Sequence, residues 1–154
     1  MSERTLRRAL LGLAALGLAI AGYLTYVHYA GVQPVCTAGG GCEKVQTSHW
    51  AKLSGVPVAV IGLAGYAAIL AALALPGEAA RMTATGLAVA GAGFSAYLTY
   101  LELFDIHAIC QWCVASAVVM AALAVLALVR TLRAEDEEPT RLRSAGAPGP
   151  EPVS

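Results

Sequence analysis

Residues 108–129 read AICQWCVASAVVMAALAVLALV, 22 residues without one charged side chain. At 1.5 Å per helical residue such a run reaches about 33 Å, enough for the roughly 30 Å hydrocarbon core of a bilayer. Three more apolar runs of similar length lie near 9–30, 56–75 and 82–104. Of the 154 residues 58% are hydrophobic and only 13% are charged, where soluble domains carry about a quarter charged, so a water-soluble globule is excluded. The formal net charge is zero and the ten Lys and Arg are scattered, leaving no basic stripe to follow a phosphate backbone. Membrane lipid, not nucleic acid, is the expected environment. Few aromatics and many small residues suit helices packed closely in lipid better than the alternating strands of a barrel. The expected fold class is all-α, an integral membrane four-helix bundle.

The joints between the runs differ. Residues 76–81 and 105–107 are tight connections that force antiparallel neighbours, whereas 31–55 is a 25-residue loop with polar and aromatic content of its own. Arg4, Arg7 and Arg8 precede the first run, Arg81 lies in the second connection, and Arg130, Arg133, Arg141 and Arg143 follow the last; only Lys44 and Lys52 fall on the other side. The positive-inside bias therefore puts both termini in the cytoplasm of a multi-pass inner (plasma) membrane protein, with the 31–55 loop on the outer face. Residues 1–130 form the expected membrane domain, and 131–154, acidic and then rich in Pro, Gly and Ser, read as a disordered cytoplasmic tail. The basic start and Ala19-Ile20-Ala21 also resemble a signal peptide, but apolar character continues through Tyr29 and a retained helix is simpler. Tyr-Leu-Thr-Tyr occurs at 23–26 and again at 97–100, near the outer ends of two runs, and an interfacial aromatic belt accounts for both copies. Glycines at 12, 17, 22, 62, 65, 86, 91 and 93 read as close helix contacts, although so Ala-rich a chain also yields small-residue spacings by chance.

All four cysteines fall on the outer side, Cys36 and Cys42 in the long loop, Cys110 and Cys113 at the start of the last run. Disulfides persist in oxidising compartments, and two sequence pairs fit two redox pairs. The spacing of Cys110-Gln-Trp-Cys113 lets two thiols meet within one helical turn, and a helix N-terminus favours the attacking thiolate at Cys110. Between Cys36 and Cys42, Thr-Ala-Gly-Gly-Gly gives the backbone freedom to carry a sulfur toward the other pair, as disulfide exchange requires. Two plain structural disulfides, or a four-cysteine zinc site whose spacings only partly suit the metal, are the alternatives. The sequence has no nucleotide-binding glycine pattern and no haem motif, so the expected electron acceptor is a quinone dissolved in the membrane.

Cys36 and Cys42, the stretch Glu43–Pro57 (EKVQTSHWAKLSGVP), and Cys110-Gln-Trp-Cys113 followed by Val-Ala-Ser-Ala together resemble the bacterial homologues of vitamin K epoxide reductase, over about Tyr23 to Met120. That resemblance implies that Cys110 and Cys113 reduce a quinone of the ubiquinone, menaquinone or vitamin K type, with Cys113 nearest its ring. It implies that Cys36 and Cys42 take electrons from a partner dithiol, Cys42 then exchanging with Cys110. Ser48 would sit beside the quinone on a short helix over residues 43–53, and Trp50 is an aromatic position of the same segment. Independently, Val45, Trp50 and Leu53 form one apolar stripe on such a helix, which would lie flat over the bundle as an amphipathic element; a plain interfacial helix with no task for Ser48 is the other reading. Animal members carry a tyrosine where this chain has Ala117, so simple quinone reduction is preferred to epoxide reduction. Many bacterial members carry a fused thioredoxin-like domain. The tail after residue 130 is too short for one, and the implied partner is a separate thioredoxin-like (DsbA-like) secreted protein.

The expected function is that of an enzyme, a membrane thiol:quinone oxidoreductase supporting disulfide bond formation. Quinone reduction consumes two protons, for which His49, Glu102 and Asp105 are the candidate donors, although each also reads as an ordinary interfacial residue. The competing class is a non-enzymatic membrane scaffold or transporter subunit with two structural disulfides; no run carries the central charge that transport pathways need. The same centre run backwards would use quinol to reduce exported thiols.

Overall fold

The computed structural model describes residues 2–37 and 41–145, with side chains through Asp136. In chain order its helices are α1 (Glu3–Ala30), the short α2 (Gly41–Gln46), α3 (Val58–Ala74), α4 (Glu78–Leu101) and α5 (Gln111–Ala145). By length and composition α1, α4 with the turn that extends it to Ile106, and α5 are each able to cross a membrane. α3 is apolar on every side but has 17 residues, about 26 Å of helix, the low end of what a bilayer needs. The expected four-helix membrane bundle is the observed one.

Local chemistry sets the helix limits. Ser2 caps α1 by accepting from the Thr5 N–H at 3.3 Å, and Gly31, with φ of 65°, ends it in the left-handed region. At the end of α3, Arg7 donates to the Leu73 and Ala74 carbonyls at 3.2 Å, satisfying acceptors that the last helical turn leaves open. α1 packs on α3 and α5, and α4 packs on α3 and α5, so the bundle closes as a ring. Leu10, Ala14, Tyr66, Ile69, Ala88 and Leu123 fill its centre. Gly17 is there for space: a Cβ on it would lie 2.0 Å from the Tyr66 ring. Val89, Val118, Val125 and Leu128 face outward instead, apolar surface that suits a hydrocarbon solvent.

Two expectations change. The expected break at residue 130 is absent, because α5 continues to Ala145 through Arg-Thr-Leu-Arg-Ala-Glu-Asp-Glu-Glu, a run dominated by helix formers. Thr131 is buried there and shares a 2.8 Å hydrogen bond with Thr85, while Arg130 pairs with Glu3 at 2.6 Å. Residues 146–154, the remainder of the expected disordered tail, lie outside the described residues.

The second change concerns the helix expected over 43–53. α2 stops at Gln46, where the Thr47 and Ser48 hydroxyls donate back to the Glu43 and Val45 carbonyls at 2.8 and 2.7 Å and offer the backbone an alternative to continuing. A single 3₁₀ turn follows (His49–Ala51), then a minimal hairpin of β1 (Lys52–Leu53) and β2 (Val56–Pro57), with Leu53 opposite Val56. Ser54 and Gly55 both have positive φ, the geometry of a tight two-residue hairpin turn. The apolar stripe therefore does not form: Val45 is buried, while Trp50 and Leu53 are exposed on different elements.

Candidate active site

The site lies where α4 hands over to α5. After Leu101 the backbone widens into a π turn (Glu102–Ile106), which ends at His107 with φ of 52°. Such wide turns swing a side chain off the regular helical stripe, and they recur at functional sites. Here the turn carries Glu102 inward. Its carboxylate is 5% exposed, the one buried carboxylate among the described residues, and it accepts the Cys110 backbone N–H at 3.1 Å. The same carboxylate interacts with the Cys113 thiol. His49 and Asp105, the other candidate proton donors, are exposed, and Asp105 accepts a hydrogen bond from Trp50 Nε1.

Cys110 and Cys113 are free thiols, one turn apart, with the Cys113 N–H directed at Cys110 Sγ at 3.4 Å. Cys110, in the connection just before α5, has no exposed surface. Its thiol is held below the ordinary cysteine value, first by the hydrogen bond from the Cys113 thiol and further by the Cys113 N–H, against the opposing effect of burial. Cys36 and Cys42 form a disulfide. All four sulfur residues gather in one cluster around Val45 and Ile106, so the two pairs distant in sequence are neighbours in space.

Fixed contacts hold the loop there. The Val35 carbonyl accepts from Trp112 Nε1 at 2.8 Å and Gln111 Nε2 at 3.3 Å, the Val35 N–H donates to the Tyr23 hydroxyl at 3.0 Å, and the Tyr23 and Trp112 rings stack at 4.9 Å. Thr37 donates twice to Gln111 Oε1. Gly41 is part of the same clasp. A Cβ on it would lie 2.5 Å from the Ile109 carbonyl oxygen, so glycine there serves close approach of backbones and not looseness. Gly39 and Gly40, the rest of the expected flexible run, lie outside the described residues. Gln111, Trp112 and Tyr23 were not expected as site residues. Tyr23 belongs to a repeat whose other tyrosines, Tyr26, Tyr97 and Tyr100, are indeed exposed at the surface.

Beside the cysteines a cavity of about 340 Å³ opens between the helices. Ser48, Trp50 and Cys113 all line it, together with Tyr66, Glu102 and Ala117. Most of the wall is aliphatic. Its polar groups include the buried Tyr66 hydroxyl, which donates to the Ser116 carbonyl at 2.9 Å, and the Ser48 hydroxyl, which is bonded to the Val45 carbonyl. Ser48 thus reaches the cavity from the cap of the 3₁₀ turn and not from a helix.

The model of the Vitamin K epoxide reductase family matches residues 8–128. The chain belongs to that family. Among curated proteins, the Arabidopsis thaliana protein named Thiol-disulfide oxidoreductase LTO1 is similar, 34% identical over 107 residues that make up 62% of this chain and 28% of the relative. The chain thus spans little more than a quarter of that relative's length. This vitamin K epoxide reductase family protein is an enzyme by family, and the scaffold with two structural disulfides is set aside. Its matched region contains every cysteine and all of the cavity wall.

Proposed function

We propose that the protein oxidises a secreted thioredoxin-like dithiol protein and delivers the electrons to a membrane quinone, supporting disulfide bond formation. The observation that carries this reading is the gathering of Cys36–Cys42 and Cys110/Cys113 in one buried cluster, with Cys113 alone of the four lining the apolar cavity. A volume of about 340 Å³, mostly aliphatic walls and a few polar groups fit a quinone ring, which needs an apolar slot and hydrogen-bond partners for its oxygens. Bound there, a quinone would supply a two-electron, two-proton acceptor. Ser48, Trp50 and the Cys113 sulfur are the residues that would hold it.

The chain's own groups divide the work. The Cys36–Cys42 disulfide, half-buried at Cys36 and buried at Cys42, receives a partner's thiolate at Cys36, becoming a dithiol as the partner becomes a disulfide. Cys42, packed against Cys110, passes the reducing equivalents inward by a second exchange. The lowered thiol of Cys110 favours its nucleophilic thiolate. The charge bias of the sequence supports an outward-facing site with both termini cytoplasmic.

Purified protein in detergent, given a reduced thioredoxin-like dithiol protein and a short-chain quinone, is expected to bleach the quinone stoichiometrically with partner oxidation. Cys113→Ala removes that turnover. Quinone reduction that survives in Cys113→Ala would refute the assignment.

A further inference from the structure

We propose that Glu102 is a catalytic residue of this centre, a carboxylate that takes the Cys113 thiol proton as the Cys110–Cys113 disulfide forms and hands it to the acceptor in the cavity. The inference rests on the quinone reading above. Three observations place the group. Glu102 is buried in a mostly apolar wall, where an acidic side chain is costly unless it has work or partners. Its carboxylate accepts the Cys110 backbone N–H at 3.1 Å, and Cys113 stands in the same cavity wall. It also lines the cavity, so one side chain bridges the sulfur and the acceptor's space.

The π turn explains how it gets there. The Ala108 N–H bonds to the Glu102 carbonyl at 3.1 Å, closing the wide turn and fixing the carboxylate over the start of α5. The other titratable groups around it are few: Cys110 from the connection before α5, Cys113 from α5, Tyr66 from α3, and Asp105 on its own turn, directed at Trp50. α2, which packs on the turn, brings the buried Cys42 and Val45, while its Glu43 and Lys44 are exposed. His49 is exposed. Glu102 is thus the one candidate donor whose position suits the reaction.

Balance is complete with a quinone as oxidant. The S–H bonds of Cys110 and Cys113 break, one S–S bond forms, and two electrons leave the sulfurs. Two O–H bonds form on the quinone, giving hydroquinone. One of their protons travels from Cys113 through Glu102; the other, lost from Cys110 as it ionises, is replaced from water at the cysteine end of the bundle.

The test uses Glu102→Gln, which keeps an oxygen for the Cys110 N–H, and Glu102→Asp, which keeps the acid. First, without any acceptor, Cys113 is titrated by its thiolate ultraviolet absorbance in a Cys110→Ser background with the loop disulfide intact. The curves with Glu102 and with Glu102→Gln should differ by about one pH unit or more if carboxylate and thiol share a proton. Superimposable curves overturn the proposal. Second, single-turnover oxidation of the prereduced dithiol by a short-chain quinone is followed across pH. Glu102→Gln should slow it by about 100-fold, and the acid limb, where protonation disables the carboxylate, should vanish in Glu102→Gln yet persist in Glu102→Asp. A uniform slowing with the limb intact in Glu102→Gln assigns a structural role and overturns the inference. If the unmodified protein itself reduces no quinone while the two titrations still differ, the quinone reading falls and the proton-sharing pair stands.

Discussion

Gly41→Ala isolates the link between the two cysteine pairs. The added methyl would sit 2.5 Å from the Ile109 carbonyl oxygen and 3.0 Å from the Ile109 nitrogen, where ordinary contact begins at 3.4 Å. The nearer gap is short by roughly 0.9 Å and is set by backbone on the partner side, so α2 must lift from the connection that carries Cys110. Overpacking of this kind costs about 1–3 kcal/mol. If that cost falls on docking of the loop, the docking equilibrium constant drops by about 5- to 140-fold, and transfer from Cys42 to Cys110 slows by up to that factor. The assay is a double-mixing experiment in detergent. A dithiol reduces the Cys36–Cys42 pair, and quench by acid alkylation then times the appearance of electrons on the α5 pair. Oxidation of prereduced Cys110/Cys113 by quinone should stay within about twofold, because the cavity wall does not include Gly41. Unchanged transfer in a folded Gly41→Ala protein would refute the claim that close backbone contact couples the pairs.

Two further outcomes follow from the geometry. In Cys113→Ala, with the loop disulfide intact, thiolate ultraviolet absorbance reports Cys110 alone; because the Cys113 hydrogen bond is the first cause of the lowered Cys110 thiol, the titration midpoint should move to higher pH, and an unmoved midpoint would contradict that cause. Gly17→Ala should destabilise the bundle by about 1–3 kcal/mol, read as earlier thermal unfolding in detergent, since the new methyl meets the buried and hydrogen-bonded Tyr66 ring at 2.0 Å; Gly12→Ala, with open space around it, should leave the transition in place.

Much of the bundle was legible because lipid imposes a simple code: a long apolar run must be a helix, and a short connection must reverse it. The four cysteines were legible for a related reason, since side chains with so few structural uses stand out against alanine and leucine. The stretch 43–53 misled because Val45, Trp50 and Leu53 match a helical period that the Thr47 and Ser48 hydroxyls interrupt, and hydroxyl back-bonding leaves no trace in hydropathy. Glu102 was one of three interfacial candidates that sequence ranks alike. Only the π turn distinguishes it from Asp105 three residues on, by turning one carboxylate in and leaving the other out. Tyr23 and Tyr97 share a tetrapeptide, yet the first clasps Val35 and Trp112 and the second faces outward, because their surroundings come from distant segments.

The complete enclosure of Cys110 works like the sheath on a conductor. A wire carrying electrons through a solution full of small thiols and oxidants would leak at every bare point, whatever the driving force along it. Here the inner contact has no bare point: Cys110 has no exposed surface, and in the proposed relay it is reached by way of Cys42 in the cysteine cluster and Cys113 at the cavity. Fidelity is then a matter of access and not of potential. Variants that merely uncover Cys110 should short-circuit the protein to ambient thiols while every cysteine remains in place.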